Sequence, residues 1–220
     1  MLKKTPRTAP RVKADRVDFD ETAAYAILDE ALCCHVGFIC DGSPMVIPTI
    51  PWRVGDQLYF HGSHGSRLAK VMASGQSLCV TTTLVDGLVL ARSAFHHSMN
   101  YRSVVLFGQA REVDDDAEKA RAFDALVDKI VPGRRPHVRP PNARELAATK
   151  LLVLTIDEGS VKMRQGPPID SEDDLSWPVW AGVLPLALTA AAPVSDDHVP
   201  AGVTNGKPGI TADERPPSLL

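Results

Sequence analysis

Between residues 34 and 157 the chain repeats one pattern: short runs rich in Val, Ile, Leu and Thr, cut by turn signals built on Gly and Pro. Runs of this kind form strands, and at this density they exclude a helical bundle. Residues 34–40 read as a first strand, followed by the hairpin dipeptide Asp41-Gly42. Residues 45–53 read as a second, which Pro44, Pro48 and Pro51 confine to an edge or a bend. Gly55-Asp56 turns the chain into a third, residues 57–61. Residues 77–84, 89–91, 101–113 and 150–157 follow as further strands, with Gly108 a candidate bulge.

Helices interrupt this series where capping residues meet a spacing of three and four. Asp20 caps a helix carrying Ala24, Ile27, Leu28, Ala31 and Leu32 on one face. Residues 66–74 form a short helix closed by Gly75, and the acidic run from Asp114 to Asp116 opens another that ends near Val131. A last short helix covers residues 144–148. The expected fold is α+β, with about six short strands in a small antiparallel barrel and helices at its ends. Residues 1–17, basic and dotted with Pro, read as a mobile arm, residues 18–186 as the domain, and residues 187–220 as a disordered tail.

Charge and hydropathy exclude two classes of partner. A net charge of -3 gives no global attraction to nucleic acid. The longest apolar stretch, residues 179–192, is broken by Gly182 and Pro185 and is too short to span a bilayer. No apolar segment follows the basic N-terminus, so a cytoplasmic location is expected. Cys33, Cys34, Cys40 and Cys79 lack paired metal-ligand spacing and read as reduced thiols in strands; no metal site is expected.

The chemistry concentrates in residues 60–70. A strand ends near His61, a loop with Gly62 and Gly65 follows, and a helix opens at Ser66. A helix start offers unpaired N–H donors, and Ser66, Arg67 and Lys70 add a hydroxyl and two cations on one face, a set suited to a phosphate. On these residues alone, a solvated basic helix face with an ordinary serine cap fits equally well.

Tyr59-Phe60-His61-Gly62-Ser63, Ser66-Arg67-Leu68 and the later run from Asn100 to Arg111 together resemble the flavin-nucleotide-binding relatives of pyridoxamine 5′-phosphate oxidase, in particular the nitroimidazole-resistance branch. The resemblance implies a six-stranded split barrel that works as a homodimer, with FMN in clefts at the subunit interface. It implies that Ser66 and Arg67, with Lys70 one turn on, hold the flavin phosphate beside Gly62, and that Val46, Ile47, Pro48 and Thr49 border the ring. Arg102 matches a family arginine, and Ser103 stands where the oxidases carry glutamine. His61 falls next to the cofactor, and is the candidate catalytic residue as proton donor or substrate anchor.

The function expected is an FMN-dependent oxidoreductase of small molecules, with reduced nicotinamide as a transient donor because no dinucleotide fingerprint is present. A flavin-storing or sensing module, or a haem- or deazaflavin-binding barrel, are the alternatives. His96 and His97 suit surface or interface packing better than a shared metal. Trp177 and Trp180 suit packing better than covering the ring or the dimer seam, and Lys162 and Arg164 read as solvated strand charges.

Overall fold

The computed structural model describes residues 1–199. Its strands are β1 (Val17–Asp18), β2 (Cys34–Cys40), β3 (Ser43–Thr49), β4 (Trp52–Val54), β5 (Gln57–Ser63), β6 (Ser77–Leu90), β7 (Ser98–Glu112), β8 (Thr149–Thr155), β9 (Glu158–Arg164) and β10 (Gly182–Pro185). The helices are α1 (Glu21–Glu30), α2 (Arg67–Ala73), α3 (Asp116–Ile130) and α4 (Ala143–Ala148). No described helix is long and apolar enough to cross a membrane.

The expectation of six strands is corrected to ten, in one antiparallel sheet with the path β3-β2-β6-β7-β8-β5-β4. The extra count has a physical origin. The single strand expected over residues 45–53 is cut at Ile50-Pro51, because proline cannot donate to a ladder. Its first half, β3, pairs with β2, and its second half, β4, pairs with β5. The two ends of the path are therefore joined by only two residues. β9, β1 and β10 add outside this path, on β7, β9 and β6 respectively.

Two further expectations change. Residues 77–84 and 89–91 belong to one strand, β6, whose register against β7 shifts at Asp86 between Val85 and Gly87. Gly108 is not a bulge: it pairs with Leu78 in regular register, where β7 passes from pairing with β9 to pairing with β8. A side chain there would press on Leu154 at 3.4 Å.

Two cores explain why the middles of β5 and β8, residues 58–60 and 151–154, are apolar on both faces. Alternate side chains of a strand point to opposite faces. Leu58 and Phe60 of β5, with Leu152 and Leu154 of β8, join the main core under α1 and α2. Tyr59, Leu151 and Val153 join a second core with Trp52, Val113 and Ala122 beneath α3. Local caps set the helix starts: Asp20 accepts from Thr22 N, Asp115 from Ala117 N and Glu118 N, and Asn142 with Glu145 forms a capping box before α4.

The N-terminal arm, expected to be mobile, makes defined contacts with the domain. Leu2 is buried in the main core, Leu2 N donates to Phe19 O at 2.7 Å, and Lys3 N donates to Asp157 O at 2.6 Å. Arg7 grips Glu158 through Nε and Nη2 at 2.7 and 2.6 Å, and the Thr5 hydroxyl donates to the same carboxylate. The hydrogen bond from Arg7 holds the Glu158 carboxyl down at about 2. The clamp is therefore complete above about pH 4.5 and is lost as the pH falls toward 2. Glu158→Gln is expected to free the arm: residues 2–9 become sensitive to limited proteolysis at neutral pH, while the far-UV spectrum is kept. At the other end, residues 187–199 are exposed and carry no helix or strand, and the rest of the expected tail, residues 200–220, lies outside the described residues.

Candidate functional site

The turn from β5 into α2 is built as its residues dictate. Ser66 N donates to Ser63 O at 2.9 Å, and Ser66 Oγ accepts from Ala69 N at 3.3 Å as the N-cap. A capping serine still has its hydroxyl proton to give. Gly62 makes the close seat possible: a Cβ there would meet Ala69 Cβ at 3.1 Å and Ser66 Cβ at 3.2 Å. Arg67 and Lys70 are exposed, and no carboxylate pairs with either among the described residues. Burial and the neighbouring Asp41 carboxylate raise the Cys40 thiol and the Arg67 charge opposes them, so Arg67 is near the end of the β2–β3 hairpin. A hydroxyl, two unpaired cations and a helix start share this corner, a combination that can hold a phosphate.

His61 is not on that corner. One residue before Gly62 on β5, it faces the second core, against Trp52 at 5.6 Å and Phe123 at 6.3 Å between ring centroids. Its outer edge is open to solvent, and neither ring nitrogen bonds a protein group among the described residues. Desolvation lowers its pKa below the usual 6.5, so the imidazole is neutral near pH 7. A neutral ring with a free nitrogen is a base or a metal ligand, and a poor standing proton donor. Phe123 also lines a cavity of about 340 Å³ with Val127, Val138 and Pro140, where Arg135 and Arg139 are held by Asp124 and Glu145. These aromatic and apolar walls come from α3 and the following loop, distant in sequence from His61, and Phe123 packs on the core that the paired Trp52 and Tyr59 help to form.

The other expected ligands divide. Val46 and Pro48 face outward on the edge strand β3, and Ile47 and Thr49 are half-buried on its other face. Arg102 is engaged by two carboxylates: Nη1 and Nη2 bond Glu30 at 2.6 and 3.0 Å, and Nε and Nη2 bond Asp86 at 3.0 and 2.7 Å. This arginine ties the β6 bulge to the end of α1, and the two carboxylates raise its pKa further. Ser103 Oγ donates to Lys162 O at 3.0 Å. Arg164, read as a solvated strand charge, is buried, while Lys162 is exposed. Trp177 and Trp180 are not packed away; they are 65% and 66% exposed. Cys34 is buried with its thiol pushed up to about 12, and Cys33 is exposed ahead of the strand.

The family model for pyridoxamine 5′-phosphate oxidase matches residues 20–163, well over half of the chain. The chain belongs to that family. Among solved structures, the flavocytochrome Anf3 from Azotobacter vinelandii is similar at 40% identity, with 91% of this chain and 93% of that one covered and a TM-score of 0.85. The FAD and heme binding protein from Mycobacterium smegmatis is similar at 38% identity over 86% of this chain and 93% of that one, with a TM-score of 0.82. A candidate 5-nitroimidazole antibiotic resistance protein from Bacteroides thetaiotaomicron is 22% identical over 66% of this chain and 86% of that one, with a TM-score of 0.55. That last likeness is one of fold, so the nitroimidazole branch expected from the motifs is a distant relation. No curated protein sequence shows significant similarity to the chain.

Proposed function

We propose that this protein is a homodimeric flavin- and haem-binding oxidoreductase that moves electrons from a reduced donor to a small-molecule acceptor. The observation that carries this reading is similarity, at 40% and 38% identity over most of the chain, to a flavocytochrome and to a protein named for FAD and haem.

The flavin phosphate is assigned to Ser66 Oγ and to the side chains of Arg67 and Lys70, with Val46 and Pro48 beside the ring. The sequence suggests FMN. FAD contains the same flavin mononucleotide half, so one grip serves both, and the relative named for FAD makes FAD the form proposed here. The haem iron is assigned to His61. Its neutral imidazole, unbonded nitrogens and aromatic flank fit an iron ligand, and Phe123 connects it to an apolar cavity. When bound, the flavin supplies two-electron and one-electron redox chemistry and the haem supplies one-electron chemistry.

The protein's own part is to anchor the phosphate, to present the imidazole unprotonated, and to wall the ligand from water with Trp52, Tyr59 and Phe123. A reduced nicotinamide remains the donor proposed. A second copy of the chain is the proposed cover for the exposed run that contains Leu175, Trp177, Val179, Trp180 and Leu184, an apolar strip of the kind that marks an interface.

The absorption spectrum of the protein as purified tests the proposal. A Soret band together with flavin bands is expected, from a species of dimeric mass by light scattering at micromolar concentration. A colourless protein that takes up neither added flavin nor added haemin overturns it, and a monomer that carries both cofactors overturns the dimer.

A further inference from the structure

A second cavity, of about 310 Å³, opens beside the start of β7 and the end of β9. Three cations line it, Lys13, Arg16 and Arg164, together with His96 and His97, and no carboxylate does. Arg164 is only 7% exposed. Its guanidinium donates to Asn100 Oδ1 at 2.5 Å, Gly166 O at 3.1 Å and Pro167 O at 3.0 Å. All three acceptors are neutral, so the buried charge has no counter-ion, a costly arrangement that an anion relieves. Arg16 adds to the cost: after desolvation, its positive charge is the next cause that lowers the Arg164 pKa.

Arg16 N donates to Lys13 O at 3.1 Å, and neither side chain has a hydrogen-bond or ion-pair partner among the described residues. Lys13 also sits at φ 56° and ψ 51°, a left-handed backbone that lysine seldom adopts, at the start of a one-turn helix. Asp170, next to the lining residue Ile169, is taken up by Arg92, which meets it through its backbone N at 2.9 Å and Nη1 at 3.0 Å. His96 Nδ1 stands 3.9 Å from the same carboxylate and is buried without a hydrogen bond. Phe95 and Ile169, 89% and 74% exposed, complete the lining with a flat ring and an aliphatic side chain.

We propose that this cavity binds the diphosphate end of a nucleotide, with the cations on the phosphates and Phe95 against the base. The site is distinct from the Ser66–Lys70 corner and stands on different residues. The ligand is a free nucleotide: the two phosphates of FAD are bonded to each other, and the flavin phosphate is already assigned to the Ser66–Lys70 corner, beyond the other end of β7.

The test uses the protein as purified, and Lys13→Ala/Arg16→Ala beside it, with circular dichroism to verify folding. ADP and inorganic pyrophosphate are titrated calorimetrically, and FAD and FMN affinities are measured after flavin exchange. ADP is expected to bind the purified protein, and the variant to lose about tenfold or more of that affinity while holding FAD and FMN as the wild type does. No saturable ADP or pyrophosphate binding overturns the proposal. So does ADP binding that the variant leaves intact. Arg67→Ala/Lys70→Ala serves as the control that separates the two sites: it weakens FMN and FAD alike and leaves the free-nucleotide site untouched.

Discussion

His61→Ala is expected to abolish the Soret band of the purified protein while the flavin bands persist. The imidazole lies on the face of β5 opposite Gly62 and the Ser66 cap, so its loss removes an iron ligand without touching the phosphate corner. His61→Gln keeps a polar side chain of similar reach and should not restore the band, because an amide is a poor ligand for haem iron. The pH dependence follows from burial. Desolvation lowers the folded-state pKa of His61, so the neutral ring favours the folded state above about pH 6.5. That contribution fades as the pH falls below the unfolded value, where the unfolded ring takes up its proton first. Haem loss is therefore expected on acidification, and the titration should disappear in His61→Ala. A Soret band of wild-type intensity in the alanine variant places the iron on another ligand and returns His61 to a packing role against Trp52 and Phe123.

The separation of His61 from Ser66 shows what could be read in the sequence. Period-two alternation already puts Tyr59 and His61 on one face of a strand and Phe60 and Gly62 on the other. Family resemblance places all of them near one cofactor; the strand divides them between two cores. Caps were legible because they are local: Asp20 and Ser66 each bond an N–H two or three residues ahead, and the acidic run at residues 114–116 marks the helix start that Asp115 caps. What depends on distant residues was not legible. Asp86-Gly87 has the composition of a hairpin turn, yet β6 runs through it, because Arg102 and the β7 ladder hold the extra residue as a bulge. The Arg102–Glu30 pair spans 72 positions, and no local pattern announces it. Leu2 is one apolar residue in a basic stretch, and only the gap between β1 and the β8–β9 turn gives it a place to go.

Arg67→Ala/Lys70→Ala is expected to produce the other large effect, on flavin retention. The two cations are exposed and unpaired in the free protein, so removing them leaves no buried partner stranded and should cost little stability. Any loss then reports binding. A charge-assisted contact to phosphate contributes on the order of 2–3 kcal/mol, so Arg67→Ala alone should weaken flavin binding roughly 30- to 150-fold. The double variant should be purified without flavin. Ser66→Ala differs in kind: it removes the α2 cap as well as a phosphate donor, and is expected to cost about 1 kcal/mol of stability in addition to affinity. Fluorescence titration with FMN separates the two effects when it is paired with thermal unfolding of the flavin-free proteins. Unchanged affinity in the Arg67→Ala/Lys70→Ala variant would remove the helix start from the site. The edge strand β3 would then be left to hold the ring without any grip on the phosphate, which backbone contacts alone are too weak to provide.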